Sequence, residues 1–256
     1  IMLDEFHWCK VSRISPEAPV PVCKISNTTL AAGGAANVAA NLSSLNVNVD
    51  LCGFIGQDST GEKLGHVLNS QNIHTEGLVT THQPSTLKSR IIAHQQHVAR
   101  VDREAPSSYS PTDQKNLISF IQSNINNYNI IILSDYLKGV LNSTTTKKII
   151  ELANQVNCPV IIDPKGDDYS KYKNATYITP NFNEFCEATQ KKHTSESSIQ
   201  TSGKKLLTKL NIQQLILTRS EKGITLINNS DILNLPTKAK EVFDITGAGD
   251  TVIACI

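Results

Sequence analysis

The sequence carries almost no net charge. Its 256 residues include 24 Lys and Arg against 23 Asp and Glu, which gives a formal net charge of +1 at pH 7. A protein that binds nucleic acid or an anionic membrane through a broad electrostatic field normally has a clear excess of positive charge. We therefore expect neither nucleic acid nor a membrane surface as a partner.

Long apolar runs are also missing. No stretch reaches the roughly 18 residues of a membrane-spanning helix, and no signal-peptide pattern stands at the start. The six cysteines form no CxxC pair and no zinc spacing, so we interpret them as small buried hydrophobes of a cytoplasmic protein. The sequence opens on Ile1 as though inside a strand and stops at Ile256 within an apolar run. We interpret both ends as cut, so that the domain is incomplete.

Two common nucleotide-binding motifs are absent as well. No G-x-G-x-x-G follows a predicted strand, which argues against a dinucleotide-binding oxidoreductase. The P-loop pattern G-x-x-x-x-G-K-[ST] does not occur either. These absences remove two familiar classes of nucleotide-binding protein.

What the second half of the sequence does have is an alternation of short β-rich runs with helical patterns. A helix is predicted to start at Ser110 as N-cap, with Pro111 at its first position and Asp113 three residues after the cap. Strands alternating with helices of this length indicate an α/β fold with a largely parallel sheet flanked by helices. The predicted strands are residues 130–133, 159–162, 177–179 and 215–218.

The first hundred residues have a different pattern. Residues 31–45 combine a Gly-Gly start with an Ala-rich helix, whereas segments at about 11–30 and 85–103 are rich in β-forming residues. Three prolines in the first segment favour an edge strand or a separate ribbon. We predict one domain over residues 1–256, in which these two segments form a small β lid over a site.

Polar residues follow each of the four predicted parallel strands, where an open α/β sheet binds its ligands. They begin at Ser134, Asp163, Pro180 and Thr218. Strand-to-helix loops are polar in any case, and such residues also cap helices, so one loop alone proves little. Four loops that together carry Asp, Lys, Asn and Arg favour a binding site.

The run Thr246–Thr251 places small residues at the start of an apolar helix, with Asp250 just inside. Free backbone N–H groups and the helix dipole make such a start an anion site, suited to a phosphoryl group. A carboxylate at this point can accept a hydroxyl proton while the amides stabilise the phosphoryl oxygens. The alternative is an ordinary capped helix with an acidic first turn.

Four motifs occur together in a particular order and spacing: Gly33–Ala39, Thr179–Glu184, Leu217–Gly223 and Gly247–Asp250. In this the sequence resembles the ribokinase-like carbohydrate kinases over essentially its whole length. It is more similar still to the branch that phosphorylates D-glycero-β-D-manno-heptose 7-phosphate, above all in Ser12–Val22. The other segments that carry this closer resemblance are Met2–Asp4, Leu133–Tyr136, Lys138-Gly139 and Ile162–Gly166.

The resemblance implies roles for individual residues. Asp250 would be the catalytic base, and Gly247, Ala248 and Gly249 would form the anion hole. Glu184 would act on Mg²⁺ indirectly, through water or phosphate. The other positions implied for the nucleotide are Lys165, Asn181, Asn183, Thr218, Arg219, Ser220 and Gly223. Those implied for the sugar are Asp4, Gly33, Gly34 and Asn37.

A phosphorylated sugar also needs cations. The candidates are Arg13, Lys88, Arg90, Arg100, Arg103 and Lys138. We favour Lys88 and Arg90 because they lie on the predicted lid.

The resemblance implies an enzyme that uses ATP and Mg²⁺ to phosphorylate the anomeric hydroxyl of heptose 7-phosphate, for ADP-heptose and lipopolysaccharide core synthesis. It also implies a homodimer formed through the lid. An adenylyltransferase part, which some relatives fuse after the kinase, is not in this sequence. The alternatives are another ribokinase-like sugar or nucleoside kinase, or a non-catalytic nucleotide- or sugar-binding module.

Overall fold

The computed structural model describes residues 1–104, 108–237 and 247–256. The chain separates into two compact units, Ile1–Pro106 and Ser107–Ile256. Each unit has its own sheet and its own buried side chains, so we describe each one by itself.

The first unit is built on a four-stranded sheet with the order β2-β1-β5-β6. Strand β1 pairs antiparallel with β2 and parallel with β5, and β5 pairs antiparallel with β6. A separate parallel pair joins β3 and β4. The strands are β1 (Met2–Ile14), β2 (Pro21–Gly33), β3 (Gly53–Gly56), β4 (Leu78–Thr81), β5 (Thr86–Ala93) and β6 (Gln96–Arg103). The helices are α1 (Ala35–Ser44) and α2 (Ser59–Ser70).

The core of the first unit lies at one end of this sheet. Leu3 at the start of β1 packs in a buried cluster with Ala36 of α1 and with Leu64 and Leu68 of α2. The outer parts of β1 and β2 are largely exposed. The segments predicted as a lid are therefore parts of long strands whose other ends reach into the core, and their role as a lid stays a prediction.

The second unit is built on a six-stranded sheet with the order β12-β11-β10-β9-β8-β7. Neighbouring strands from β7 to β10 are parallel, whereas β11 and β12 add an antiparallel edge. The strands are β7 (Ile131–Ser134), β8 (Val160–Asp163), β9 (Tyr177–Ile178), β10 (Gln214–Thr218), β11 (Ile224–Asn228) and β12 (Ile232–Leu235). The helices are α3 (Pro111–Asn124), α4 (Ser143–Gln155), α5 (Phe182–Thr189), α6 (Glu196–Leu210) and α7 (Ala248–Ala254).

The predicted α/β class and parallel strands are confirmed, with strand bounds within one or two residues. The predicted start of α3 is also confirmed: Ser110 accepts from the Asp113 amide at 3.1 Å, and Asp113 reaches back to the Ser110 amide at 3.2 Å. The hairpin of β11 and β12 was not predicted. Across the described ranges, every helix is too short or too polar to cross a lipid bilayer.

Candidate active site

Helix α7 begins at Gly247, which adopts φ 75° as N-cap. This left-handed conformation is easy for glycine and costly for most other residues. The Gly247 carbonyl accepts the first helical hydrogen bond from the Thr251 amide at 2.9 Å. The predicted helix start is confirmed, whereas residues 244–246 of the same run lie outside the described residues.

Asp250 stands in the first turn of α7 and is only 9% exposed. Its Oδ1 accepts a hydrogen bond from the hydroxyl of Tyr136, at 2.9 Å. Tyr136 follows strand β7, so the contact joins two distant parts of the sequence. A carboxylate oriented by a hydrogen bond at the start of a helix has the chemistry of a general base.

A cavity of about 140 Å³ lies against the first turn of α7, where Gly249, the residue before Asp250, lines it. It is formed at the carboxyl ends of the parallel strands, where ligands bind in open α/β sheets. Its lining residues are Asp163, Thr179, Asn181, Glu184, Thr218, Gly249 and Val252. Four predicted site residues, Asn181, Glu184, Thr218 and Gly249, therefore meet in one place.

Gly249 gives this cavity an open wall next to the catalytic candidate. A Cβ built on Gly249 would have no atom within 4 Å among those compared. The backbone of the first turn of α7 is thus bare on this side, as an anion hole requires. The role of Gly247, Ala248 and Gly249 at a phosphoryl group stays a prediction.

Asn181 and Glu184 form a capping box at the start of α5. The Asn181 side chain accepts from the Glu184 amide at 3.0 Å, and Glu184 Oε2 accepts from the Asn181 amide at 2.9 Å. The other carboxylate oxygen, Oε1, accepts from Lys165 Nζ at 2.9 Å. This hydrogen bond raises the pKa of Lys165. Asn181 and Glu184 therefore cap α5. The same capping box holds Glu184 at a place where it lines the cavity.

Asp163 ends strand β8 and lines the same cavity. Burial, followed by the nearby carboxylates of Glu184 and Asp250, raises its pKa to about 7. The Ser134 hydroxyl and Lys165 act in the opposite direction. An acid of this kind loses its proton readily when a cation arrives.

The end of β10 and the loop after it hold four residues predicted for the nucleotide. Two of these residues have structural roles. Arg219 is 9% exposed and donates two hydrogen bonds to Glu196, at 2.8 and 2.6 Å, and a third to Thr225 at 3.1 Å. Gly223 has φ 79°, and a Cβ there would lie 2.0 Å from the Leu235 carbonyl oxygen. Thr218 lines the cavity, and Ser220 follows in a short 3-10 turn.

The first unit holds the residues predicted for the sugar. Asp4 Oδ1 accepts from Arg90 Nη1 at 2.6 Å, and the Arg90 guanidinium also lies over the Phe6 ring at 5.2 Å. Gly33 faces Asp4 across the strand pair, where a Cβ would lie 2.7 Å from Asp4 Oδ2. Gly34 has φ 59°, and Asn37 lies in the first turn of α1. The structure thus brings Asp4, Gly33 and Arg90 together.

Lys88, the second favoured cation, stands two residues before Arg90 and is also paired. Its Nζ donates to Asp102 at 3.0 Å and to Glu104 at 2.9 Å. Burial lowers the pKa of Lys88, and the bonds to Glu104 and Asp102 outweigh this and raise it. The two cations predicted for a sugar phosphate are therefore both neutralised by carboxylates here, and their role at the phosphate stays a prediction.

Two residues of the site, Asp163 and Tyr136, were not predicted as site residues from the sequence. Asp163 carried a signal, because it follows a predicted strand directly. Tyr136 carried none of its own, since a tyrosine after a strand is most often a packing residue. Only the fold shows that its hydroxyl reaches Asp250.

Solved structures share this fold along nearly the whole chain. A phosphofructokinase-2 mutant from Escherichia coli superimposes with a TM-score of 0.82 at 16% identity, over 99% of this chain and 82% of that one. A ribokinase from Arabidopsis thaliana, solved with ribose and ATP, superimposes with a TM-score of 0.73 at 18% identity, over 99% and 81%. The predicted ribokinase-like fold is confirmed.

Sequence comparison leads to the family. The model of the pfkB family carbohydrate kinases matches residues 6–256, so the chain belongs to this family. It is also 45% identical over its whole length to the bifunctional protein HldE of Haemophilus influenzae strain PittEE, and 44% identical to that of Helicobacter pylori strain G27. The chain spans about half the length of these relatives, 53% and 56%.

Proposed function

We propose that the chain transfers the γ-phosphate of ATP to the anomeric (C1) hydroxyl of D-glycero-β-D-manno-heptose 7-phosphate. The product would be the 1,7-bisphosphate, a precursor of ADP-heptose for the lipopolysaccharide core. The observation that carries the reaction type is the buried Asp250 at the start of α7, beside the acidic cavity. The substrate rests on the resemblance of Ser12–Val22 and on full-length similarity to HldE proteins.

In the proposed reaction Asp250 accepts the proton of the sugar hydroxyl. The oxygen of that hydroxyl forms a bond to the γ-phosphorus, while the bond from that phosphorus to the β,γ-bridging oxygen breaks and ADP leaves. Positioning and charge neutralisation dominate such a transfer. Backbone N–H groups of Gly247–Gly249 would stabilise the phosphoryl oxygens. Asp4, Gly33, Gly34 and Asn37 would hold the sugar.

The acidic cavity fits a Mg²⁺ ion that arrives with ATP. Mg²⁺ prefers oxygen ligands and is commonly bound by one or two carboxylates together with substrate phosphates. Glu184 and Asp163 supply such carboxylates. Among the described residues no group of three or more His, Cys, Asp or Glu forms a metal site by itself. We therefore propose that Glu184 acts through water or phosphate, as the resemblance implies.

We also propose a homodimer and a cytoplasmic location. Strands β1, β2 and β6 of the first sheet carry exposed apolar side chains, among them Ile14, Ile25 and Val101. Such side chains favour burial against a second copy. All six cysteines are free thiols, in keeping with a reducing compartment.

The Asp250→Asn variant of the full-length protein tests the proposed mechanism. We expect kcat with ATP and heptose 7-phosphate to fall by roughly 10²-fold or more, because a general base contributes about this much. Binding of both substrates, measured by calorimetry, should be nearly unchanged. The matched control is Asp231→Asn, which changes an exposed aspartate in the turn between β11 and β12. Near-normal turnover of Asp250→Asn would remove Asp250 from its role.

A panel of sugars in an ATP-consumption assay tests the substrate. We expect heptose 7-phosphate to give the highest kcat/KM, with ribose, fructose 6-phosphate and nucleosides far below. Fast turnover of an unphosphorylated pentose would contradict the proposed substrate and would leave the kinase chemistry intact. Binding of ATP and sugar phosphate without turnover would point instead to a binding module.

A further inference from the structure

The side chain of Tyr136 donates a hydrogen bond to Asp250. Its hydroxyl lies 2.9 Å from Asp250 Oδ1, across 114 residues of sequence. The ring is half-buried, and the Asp250 carboxylate is 9% exposed. A hydrogen bond to a charged group in such a partly dry place is stronger than one in water. It therefore restricts the directions in which the carboxylate can point.

The turn that carries Tyr136 is itself fixed. The neighbouring Asp135 is 4% exposed, and its carboxylate accepts from the Leu137 amide at 2.8 Å, the Tyr172 hydroxyl at 2.7 Å and Lys171 Nζ at 2.5 Å. The Asp135 amide donates to the Asp163 carbonyl at 3.0 Å, which extends the β7-β8 ladder by one bond. Leu137 then takes a left-handed φ of 54°.

These contacts give the turn one shape. A non-glycine residue with a left-handed φ costs about 1 kcal/mol or more, and it persists only where its surroundings hold it. The buried Asp135 supplies that hold, because its carboxylate accepts from the Leu137 amide and from two side chains of the 3-10 turn after β8, Lys171 and Tyr172. Tyr136 is thus presented from a rigid support to the carboxylate that the proposed reaction uses.

We propose that Tyr136 is a positioning residue for the catalytic base: its hydroxyl holds the Asp250 carboxylate in the orientation that accepts the sugar proton. Tyr136 is itself held in place by the backbone turn that Asp135 anchors. This inference rests on the proposed function, since it gives Asp250 its role. Tyr136 itself exchanges no proton in the reaction.

The protonation of the pair agrees with this geometry. Burial and the adjacent Asp250 carboxylate raise the pKa of Tyr136 above its ordinary value, so the phenol keeps its proton at neutral pH and remains a donor. The titratable groups around Asp250 include Tyr136 from the turn after β7 and Asp163 from the end of β8.

Two effects of the hydroxyl oppose each other, and their sizes decide the expected result. The hydrogen bond from Tyr136 makes the carboxylate a weaker base. Removing the hydroxyl would therefore raise the rate by about threefold, if the base gains about one pKa unit and the rate follows with a Brønsted slope of about one half. Loss of orientation acts in the other direction and reaches roughly 10²-fold for a displacement of about 1 Å. We therefore expect a net loss of turnover when the hydroxyl is removed.

The first test is Tyr136→Phe in the full-length protein, assayed with ATP and the sugar phosphate. We expect kcat to fall about 10-fold, with KM for both substrates within about threefold of the unchanged enzyme. The acid limb of the kcat–pH profile should move to higher pH by about one unit, because the ionised base loses a donor. Tyr177→Phe, which removes a hydroxyl from a half-buried tyrosine of β9, is the matched control.

An unchanged kcat together with an unmoved acid limb would overturn the proposal. So would a fall in kcat that is matched by Tyr177→Phe. A rise in KM at constant kcat would also overturn it, because that result would make Tyr136 a substrate-binding residue.

The double variant Tyr136→Phe/Asp250→Asn separates positioning from general damage. If Tyr136 acts through Asp250, its removal should cost less than about twofold once the carboxylate is gone. A full 10-fold further loss would overturn the proposal. Failure of the proposed function shows itself elsewhere, as near-normal turnover of the single Asp250→Asn variant.

A fluorinated tyrosine at position 136 keeps the ring and the fold if Tyr136→Phe fails to fold. Fluorine makes the phenol a better donor, so the acid limb should move to lower pH, opposite to the change expected for phenylalanine. A profile that coincides with that of the unmodified protein would overturn the proposal.

Discussion

At the scale of single residues, the cavity is defined by how its carboxylates share charge. The carboxylates of Glu184 and Asp250 act on Asp163, whereas Lys165 is the cation that pairs directly with Glu184. Their residue types were readable in the sequence, because each follows a strand or opens a helix. The effect of these carboxylates on the pKa of Asp163 could not be read from the sequence, since it depends on distances between segments far apart in the chain.

Asp163 makes the stability of the chain depend on pH. Its pKa is about 7 when folded, against an ordinary value of 3.8. The folded state thus holds a proton that the unfolded chain releases, so this group's favourable contribution is complete below the ordinary value and is lost as pH rises through 7. Asp163→Asn should therefore stabilise the chain at pH 8 relative to pH 5, by up to roughly 3 kcal/mol.

Thermal unfolding in metal-free buffer without nucleotide measures this effect. The difference in Tm between Asp163→Asn and the unchanged protein should grow from pH 5 to pH 8. Asp231→Asn is the control and should give the same difference at both pH values. Parallel Tm curves for Asp163→Asn and the unchanged protein would show that Asp163 is not the group responsible.

The carboxylate of Asp4 occupies the space in which a side chain at position 33 would lie. A Cβ at Gly33 would lie 2.7 Å from Asp4 Oδ2 and 2.9 Å from Met2 Cγ. Gly33→Ala should therefore displace Asp4, and we expect KM for the sugar to rise about 10-fold, the size of one lost hydrogen bond to a charged group. Gly65→Ala, where a Cβ meets nothing within 4 Å, is the matched control and should leave KM unchanged. Equal KM values would separate Gly33 and Asp4 from sugar binding.

At the scale of elements, local patterns predicted the structure best. The capping boxes that open α3 and α5 could be predicted because each depends on residues three apart. The β11-β12 hairpin was missed, although two alternating apolar runs flank the Asn-Asn-Ser-Asp turn at residues 228–231. It changes the edge of the sheet from parallel to antiparallel, a topology that no local pattern specifies.

The ion pair of Arg219 and Glu196 ties the start of α6 to the loop after β10. Glu196→Ala would leave the buried guanidinium of Arg219 with Thr225 as its remaining described partner. We expect the free energy of unfolding to fall by about 1–3 kcal/mol, the cost of an unsatisfied buried group. The lower end is favoured because the Glu196 side chain is 55% exposed.

Denaturant unfolding at several pH values measures this loss. The hydrogen bond from Arg219 lowers the pKa of Glu196, so its contribution is present above the ordinary value of 4.5 and is lost as pH falls through the folded value. The loss of unfolding free energy in Glu196→Ala should therefore become smaller as pH falls. Glu151→Ala, on an exposed face of α4, is the control and should change stability by about 0.5 kcal/mol or less. A deficit independent of pH would contradict the ionic part of this account.

At the scale of the whole molecule, the structure separates into two compact units, and one domain with a lid stays a prediction. The α/β class followed from the pattern of the second unit, where helices separate β7 from β8 and β9 from β10. The first unit gave a weaker signal, because β1 and β2 are long and exposed over much of their length and its strands pair in both directions. Contacts such as Tyr136 to Asp250 lay beyond prediction, since nothing local to either residue specifies the other.

The proposed homodimer makes a prediction at this scale. Ile25 and Val101 are 55% and 59% exposed on the first sheet. If these strands meet a second copy, the double change Ile25→Lys/Val101→Lys should shift the full-length protein towards the monomer in sedimentation velocity, because buried charges without partners are costly. Leu45→Lys, at an equally exposed site after α1, is the control. A dimer that survives the double change would place the interface elsewhere.

The parallel pairing of β1 with β5 also bears on the order of events during synthesis. Asp4 lies opposite Lys88 in this register and takes its hydrogen bond from Arg90. A ribosome adds about 5–20 residues per second, so Asp4 waits for seconds before its partner strand exists. Pairing across such a separation is slow to nucleate. In the interval β1 can rest only on β2, which leaves one edge of that hairpin open to chaperones or to another nascent chain.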